Sequence, residues 1–90
     1  MYTEKNFKRK KELKDAVNAF NLRMSEGKTE TEWRELHGVN AREVRYFQPG
    51  PFGGNEPKDG VFCCEGPHYP APHSWYATCT AKDGVIVKVK

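Results

Sequence analysis

The sequence has no long apolar run and no apolar segment near its first residue. None of its hydrophobic stretches approaches the roughly 18 residues that a membrane-spanning helix requires. The first residues are charged, and they lack the apolar core of a secretion signal. We therefore expect a cytoplasmic protein that does not contact a membrane.

Cysteine is scarce, with three residues in a chain of 90. An odd number that includes the neighbours Cys63 and Cys64 does not suit a disulfide framework. We expect reduced thiols, as is usual in the cytoplasm. The length predicts one domain with a modest core.

Patterns typical of enzymes are missing as well. The glycines between Gly50 and Gly54 lack the Gly-Lys-Ser/Thr ending and the following helix of a phosphate-binding loop. No pattern marks a cysteine as activated by a histidine and a carboxylate. We expect no catalytic residue, no cofactor and no enzymatic activity.

Positive charge is concentrated near the start of the chain. The net charge is +3, yet residues 1–28 hold eight Lys or Arg against four Asp or Glu, whereas residues 29–90 hold seven against eight. Such an excess favours contact with nucleic acid, although it is also common on solvated helices. No helix-turn-helix, zinc-finger or aromatic RNA-binding signature accompanies it. The candidate contacts for this alternative are Lys10, Lys11, Lys14, Lys88 and Lys90.

Two helices are expected in the first half of the chain. Apolar residues recur at spacings of three and four in a basic amphipathic helix that runs from residue 4 to about residue 25. This stripe consists of Leu13, Ala16, Val17, Phe20 and Met24. Thr29 and Glu32 have the spacing of a capping box, which opens a short second helix that ends at Gly38.

Strands are expected in the second half. Residues 43–48 and 61–65 are rich in β-branched and aromatic residues. At the C-terminal end, Lys82-Asp83-Gly84 suits a three-residue hairpin loop. The pairs on the core face would be Ala81 with Val85, Cys79 with Val87, and Ala77 with Val89; those on the other face would be Thr80 with Ile86, Thr78 with Lys88, and Tyr76 with Lys90.

These elements together predict an α+β fold. The amphipathic helix and the short helix would pack on a three- to four-stranded antiparallel β-meander that ends in a hairpin. Within the single domain, residues 1–26 hold the basic helix and residues 27–42 an insertion with the short helix. Residues 43–90 hold the sheet and loops rich in proline, glycine and aromatic residues.

The cysteines and histidines raise the possibility of zinc, since thiolate and imidazole are its usual ligands. Cys63, Cys64, His68 and His73 are the candidates. Their spacing matches no common zinc motif, and adjacent cysteines on a strand point to opposite faces. Cys79 falls on the expected core face, where a cysteine behaves as a small hydrophobic residue. We expect no bound metal, and a zinc-stabilised adaptor domain remains an alternative.

Aromatic residues gather in and beside the proline-rich loops, which hold all six prolines of the chain. Prolines reduce the entropy lost on binding, and Trp and Tyr are favoured at the centres of interfaces. The candidate partner-binding residues are Phe52, His68, Tyr69, His73, Trp75 and Tyr76. The alternative is that these aromatics complete a small core.

Three segments, KKELKDAV, FQPGPFGGNEPKDGV and EGPHYPAPHSWYATCTAKDGVIVKVK, resemble small proteins of unknown function encoded by bacteriophages and mobile elements. In those proteins a short basic helix leads almost directly into the strand before the PGPFGG-like loop, so residues 20–43 stand out as an insertion. The resemblance implies a phage or prophage origin and carries over no activity and no site residue. In that context we expect a non-enzymatic module that binds a host protein in the bacterial cytoplasm through the loops, with nucleic-acid binding as the alternative.

Overall fold

Antiparallel strands form the framework of the molecule. The computed structural model describes residues 1–51, 53–54 and 56–90. Its elements are β1 (Tyr2–Thr3), α1 (Lys10–Ser25), α2 (Glu30–His37), β2 (Tyr46–Phe47), β3 (Gly60–Gly66), β4 (Trp75–Lys82) and β5 (Val85–Val89). Strands β3, β4 and β5 make a meander, and β1 pairs with β2 in a two-stranded sheet. The predicted α+β class is confirmed. No helix within the described ranges is both long and apolar enough to cross a membrane.

The β4–β5 hairpin is present, but its predicted register is wrong. Asp83 and Gly84 both have positive φ angles, 52° and 78°, and they form a two-residue turn instead of a three-residue loop. Ala81 therefore pairs with Ile86 and not with Val85. Ile86 was expected beside the lysines on the outer face, yet it is fully buried. One residue fewer in the turn moves the following residues to the opposite face.

A bulge in β5 then restores part of the expected pattern. Ile86 and Lys88 pair with consecutive residues of β4, so Val87 between them has no partner on that strand. Beyond the bulge, Val89 lies opposite Cys79 and packs against the core. Lys88 is exposed, as expected. The predicted pairing of Cys79 with Val87 is wrong.

The first helix begins later than predicted. It starts at Lys10, after Arg9, whose backbone is extended. The residues before the helix are not helical. Tyr2–Thr3 form β1, a strand that was not predicted, and Phe7 is buried in the core. The expectation that residues 1–26 form only a helix is therefore corrected.

The apolar stripe of α1 packs on the inner face of the meander only along part of its length. Leu13 and Val17 are fully buried there, and Ala16 packs beside them. Phe20 is partly buried, and Met24 is 59% exposed. Met24, at the C-terminal end of the stripe, therefore lies outside the core.

The short second helix agrees with its predicted boundaries. Thr29 and Glu32 form the capping box, with each side chain accepting a hydrogen bond from the other residue's backbone N–H at 3.2 Å. Gly38 ends the helix in the left-handed conformation. Trp33 is the buried residue of α2.

The predicted strand at residues 43–48 is reduced to Tyr46–Phe47. Val44 precedes it and accepts a hydrogen bond at its carbonyl from the backbone N–H of Ile86, at 2.9 Å. This segment therefore lies along the outer edge of β5. β2 itself pairs with β1 and not with the meander.

Candidate functional site

The loop between β3 and β4, residues 67–74, is fixed to the N-terminal strand. Tyr2 is central to this contact, because its ring stacks on His68 with centroids 4.8 Å apart. Its hydroxyl lies 2.8 Å from Nε2 of His73 and accepts a hydrogen bond from the backbone N–H of Tyr69. Three residues of the loop are thus held by one side chain.

Further hydrogen bonds hold the same loop. Nε2 of His68 lies 2.7 Å from the carbonyl oxygen of Thr3, which can only accept, so this nitrogen carries the proton. The backbone N–H of His68 donates to Oδ1 of Asn6 at 2.8 Å. Ser74 donates from its backbone N–H to the carbonyl of Gly66 at 2.7 Å and closes the loop. The loop is therefore ordered before any partner arrives.

The side chains that this fixed loop displays to solvent form what we call the loop surface. It consists of Tyr69, Pro70, Pro72 and His73, together with Tyr76 at the start of β4. Tyr69 is 82% exposed and Tyr76 is 64% exposed. Large aromatic side chains so exposed on a rigid support are the kind of group that dominates protein interfaces.

Two of the predicted loop residues do not belong to this surface. Trp75 is only 7% exposed, and its indole Nε1 donates to the carbonyl of Phe7 at 2.9 Å. Its assignment as a contact residue is corrected, because it belongs to the core. His68 is half-buried against Tyr2 and holds the loop in place. The prediction for Phe52 lies outside the described residues.

The outer face of the meander continues from the loop surface. Tyr76 of β4 lies opposite Glu65 of β3. Further along β3 on the same face are Cys63, which is exposed, and Val61, which is 68% exposed. Strand alternation predicts such outward positions, but the sequence alone did not single out Val61 as part of a surface.

The zinc candidates do not come together. Cys63 points outward and Cys64 is fully buried, as alternation along a strand requires. His68 and His73 are both engaged with β1 residues. Among the residues that the structure describes, no group of three His, Cys, Asp or Glu could hold a metal ion.

The buried cysteines belong to the core. Cys64 and Cys79 lie on neighbouring strands, face α1 and are fully buried. The neighbouring Cys79 thiol and burial raise the pKa of Cys64. A thiol that stays protonated and is shielded from solvent is a poor nucleophile.

The candidate lysines form two groups, which lie on two elements in contact with each other, α1 and β5. Three of them, Lys10, Lys11 and Lys14, are on α1, and two, Lys88 and Lys90, are on or just after β5. The amide nitrogen of Asn21 donates to the carbonyl of Val87 at 2.9 Å. Asn21 and Lys14 are seven residues apart and share one side of the helix. The basic side of α1 is thus the side next to β5.

Comparison with known proteins gives no match to a family model, to a curated protein or to a solved structure. The resemblance to phage-encoded proteins therefore stays a prediction.

Proposed function

We propose that the protein is a non-enzymatic binding module that recognises another protein through the loop surface. The observation that carries this proposal is the combination of exposure and fixation in residues 67–74. Tyr69 and Tyr76 are mostly exposed, while the loop that carries Tyr69 is held by backbone hydrogen bonds to Tyr2 and Asn6 and by the His68 side chain, which bonds to the carbonyl of Thr3.

Fixation matters because binding normally restricts side chains and loops, at a cost of about 0.5–1.5 kcal/mol for each immobilised side chain. A loop that is already ordered by proline residues and by β1 avoids part of that cost. An exposed tyrosine contributes a large apolar area with few rotatable bonds, and its hydroxyl can pair with a polar group of the partner.

The proposed partner is a host protein in the bacterial cytoplasm, and the proposed origin is a phage or a prophage. Both rest on the sequence resemblance described above. The exposed tyrosines on their fixed support would suit any protein partner.

The test compares what wild-type protein and variants retain from a nuclease-treated host lysate. Tyr69→Ala with Tyr76→Ala should abolish retention of a specific protein, because both side chains lie on the proposed surface. Leu22→Ala is the matched control, since Leu22 is also an exposed large side chain, at 51%, but lies on α1. If the double variant and the control are both folded and retain the protein equally, the loop surface is not the binding site.

A second candidate function is nucleic-acid binding, and one observation favours it. The Asn21–Val87 hydrogen bond places the basic side of α1 next to β5, so lysines from both elements border one edge of the molecule. Lysines spread along an edge can neutralise successive phosphates, and such binding weakens steeply as salt rises.

Fluorescence anisotropy with labelled single-stranded and duplex DNA and with RNA tests this candidate between about 50 and 200 mM salt. Lys14→Glu combined with Lys88→Glu should remove binding, whereas Lys58→Glu, exposed in the segment before β3, should change it little. An absence of binding at the lowest salt concentration would rule the candidate out.

A further inference from the structure

A charged cleft lies away from the loop surface, where the end of α1 meets the start of α2 and the segment before β2. Its volume is about 670 Å³. Phe20 and Met24 supply the apolar part of its lining. Three arginines and three glutamates supply the rest: Arg23, Arg42, Arg45, Glu4, Glu30 and Glu43.

Two of the arginines are neutralised by their neighbours. Arg42 forms a hydrogen-bonded ion pair with Glu30, and this pairing lowers the pKa of that carboxyl group. Arg45 pairs with Glu43 at 2.7 Å. These four side chains therefore form charged walls with no net charge.

Arg23 is different. It is partly buried, its Nε is shielded from solvent, and that N–H has no hydrogen-bond partner among the described residues. Its guanidinium carbon lies 5.2 Å from the ring centroid of Phe20, so the side chain is held over an aromatic face. That N–H is closed off from the cleft, but the guanidinium forms no ion pair with another described residue, so its charge is available to an anion in the cleft.

The chemistry of the lining restricts that ligand. The planar guanidinium of arginine binds oxyanions through two parallel hydrogen bonds, and carboxylate and phosphate are the common ones. The net charge of these six side chains is zero, and a doubly charged phosphate would be repelled by the three carboxylates among them. A singly charged carboxylate attached to an apolar group fits better, because Phe20 and Met24 lie beside Arg23. An adjacent amide N–H would find an acceptor in Glu4, which forms no ion pair with another described residue.

From these observations we infer that the cleft binds a carboxylate borne by an apolar residue, as at the C-terminal end of a peptide chain, with Arg23 as the carboxylate-binding residue. The site shares no residue with the loop surface. It would give the protein a second binding site, which recognises the C-terminal end of a peptide and not a folded surface.

The test is an NMR titration that follows the Nε–H resonance of Arg23 and the methyl resonance of Met24. The probes are an acetylated tetrapeptide, Ala-Ala-Ala-Leu, with a free or an amidated C-terminus, together with N-acetylleucine and inorganic phosphate. The free-acid peptide should shift both resonances and bind about tenfold more tightly than its amide, as expected when a charge-assisted hydrogen bond is lost. If N-acetylleucine binds as well as the peptide, the ligand is a small carboxylic acid and the peptide assignment is wrong.

Variants separate the site from the fold and from the loop surface. Arg23→Gln should lose the preference for the free acid, and Arg23→Lys should retain part of it even if the glutamine variant folds poorly. Arg34→Gln, on the exposed part of α2, and Tyr69→Ala should bind the peptide as the wild type does. Equal affinity for acid and amide in the wild type, stronger binding of phosphate, or an unchanged preference in Arg23→Gln would overturn the inference.

Discussion

Gly66 shows how a missing side chain positions the loop surface. A Cβ atom at this residue would lie 2.2 Å from Cζ2 of Trp75 on the neighbouring strand. The indole occupies the space that a side chain would need, and from there Nε1 reaches the carbonyl of Phe7. The sequence places Trp75 beside proline-rich turns and suggests an exposed residue. Its burial depends on this cross-strand contact, which no local pattern reveals.

Gly66→Ala should therefore destabilise the protein by about 1–3 kcal/mol, the usual range for forcing extra atoms into a packed region. Urea denaturation followed by tryptophan fluorescence measures the change. Gly27→Ala is the comparison, since its Cβ would meet nothing within 4 Å and would cost only the strain of a positive φ angle. A smaller loss at Gly66 than at Gly27 would contradict the proposed packing.

Glu56 provides a pH-dependent contact. Its Oε1 accepts hydrogen bonds from the backbone N–H groups of Gln48 at 2.8 Å and Gly54 at 3.0 Å. These bonds lower the pKa of Glu56 from its ordinary value of 4.5. A carboxyl group whose pKa falls on folding stabilises the folded state above its unfolded pKa, and this contribution disappears as the pH drops through the folded value.

Glu56→Gln should thus lower the melting temperature near neutral pH, and the difference from wild type should shrink as the pH falls below 4.5. Thermal denaturation at a series of pH values is the measurement. Glu35→Gln, on the exposed part of α2, serves as the control. A difference that stays constant across this range would mean that charge on Glu56 is not what matters.

At the scale of elements, the sequence predicted those features that depend only on neighbouring residues. The capping box at Thr29 and the glycine at position 38 set the ends of α2 as predicted. The hairpin register was missed because Asp83-Gly84 serves as a two-residue turn, and a bulge at Val87 then shifts the pattern again. β1 was missed because two residues are too few to show a period of two, and its pairing with β2 is a contact between distant parts of the chain.

Thr29→Ala should affect α2 more than the rest of the molecule. Loss of an N-cap costs about 1 kcal/mol, and α2 has no extensive contact with another described helix or strand. We expect α2 amide protons to exchange about fivefold faster, while those of β4 keep their protection. Thr31→Ala, on an exposed site inside the same helix, is the control. Equally faster exchange in β4 would show that α2 is coupled to the core.

The whole molecule is built around a small core, which α1 covers on one side. Leu13 and Val17 of α1 meet Cys64, Cys79 and Ile86 on the inner face of the meander. Composition and periodicity predicted this arrangement of helix on sheet. They did not predict the charged cleft, because Arg23 belongs to α1 while most of the ion-paired residues around it come from the segment before β2.

The cysteines report on this arrangement. In the native protein one thiol of three, that of Cys63, should react with dithionitrobenzoate within minutes, since Cys64 and Cys79 are fully buried. The other two should react only as fast as the molecule unfolds, and urea should accelerate them together. Cys63→Ser should abolish the fast reaction. Two fast thiols in the native protein would contradict the described core.

The bulge at Val87 also affects which deletions the chain can tolerate. Ile86 and Lys88 already pair with consecutive residues of β4, so removing Val87 leaves the pairing on both sides unchanged. Removing either neighbour of Val87 instead would leave Val87 to take a position in the ladder that now belongs to Ile86 or Lys88. Deletion scanning of the hairpin should therefore find one dispensable residue in β5, at the cost of the contact from Asn21 that now ends there.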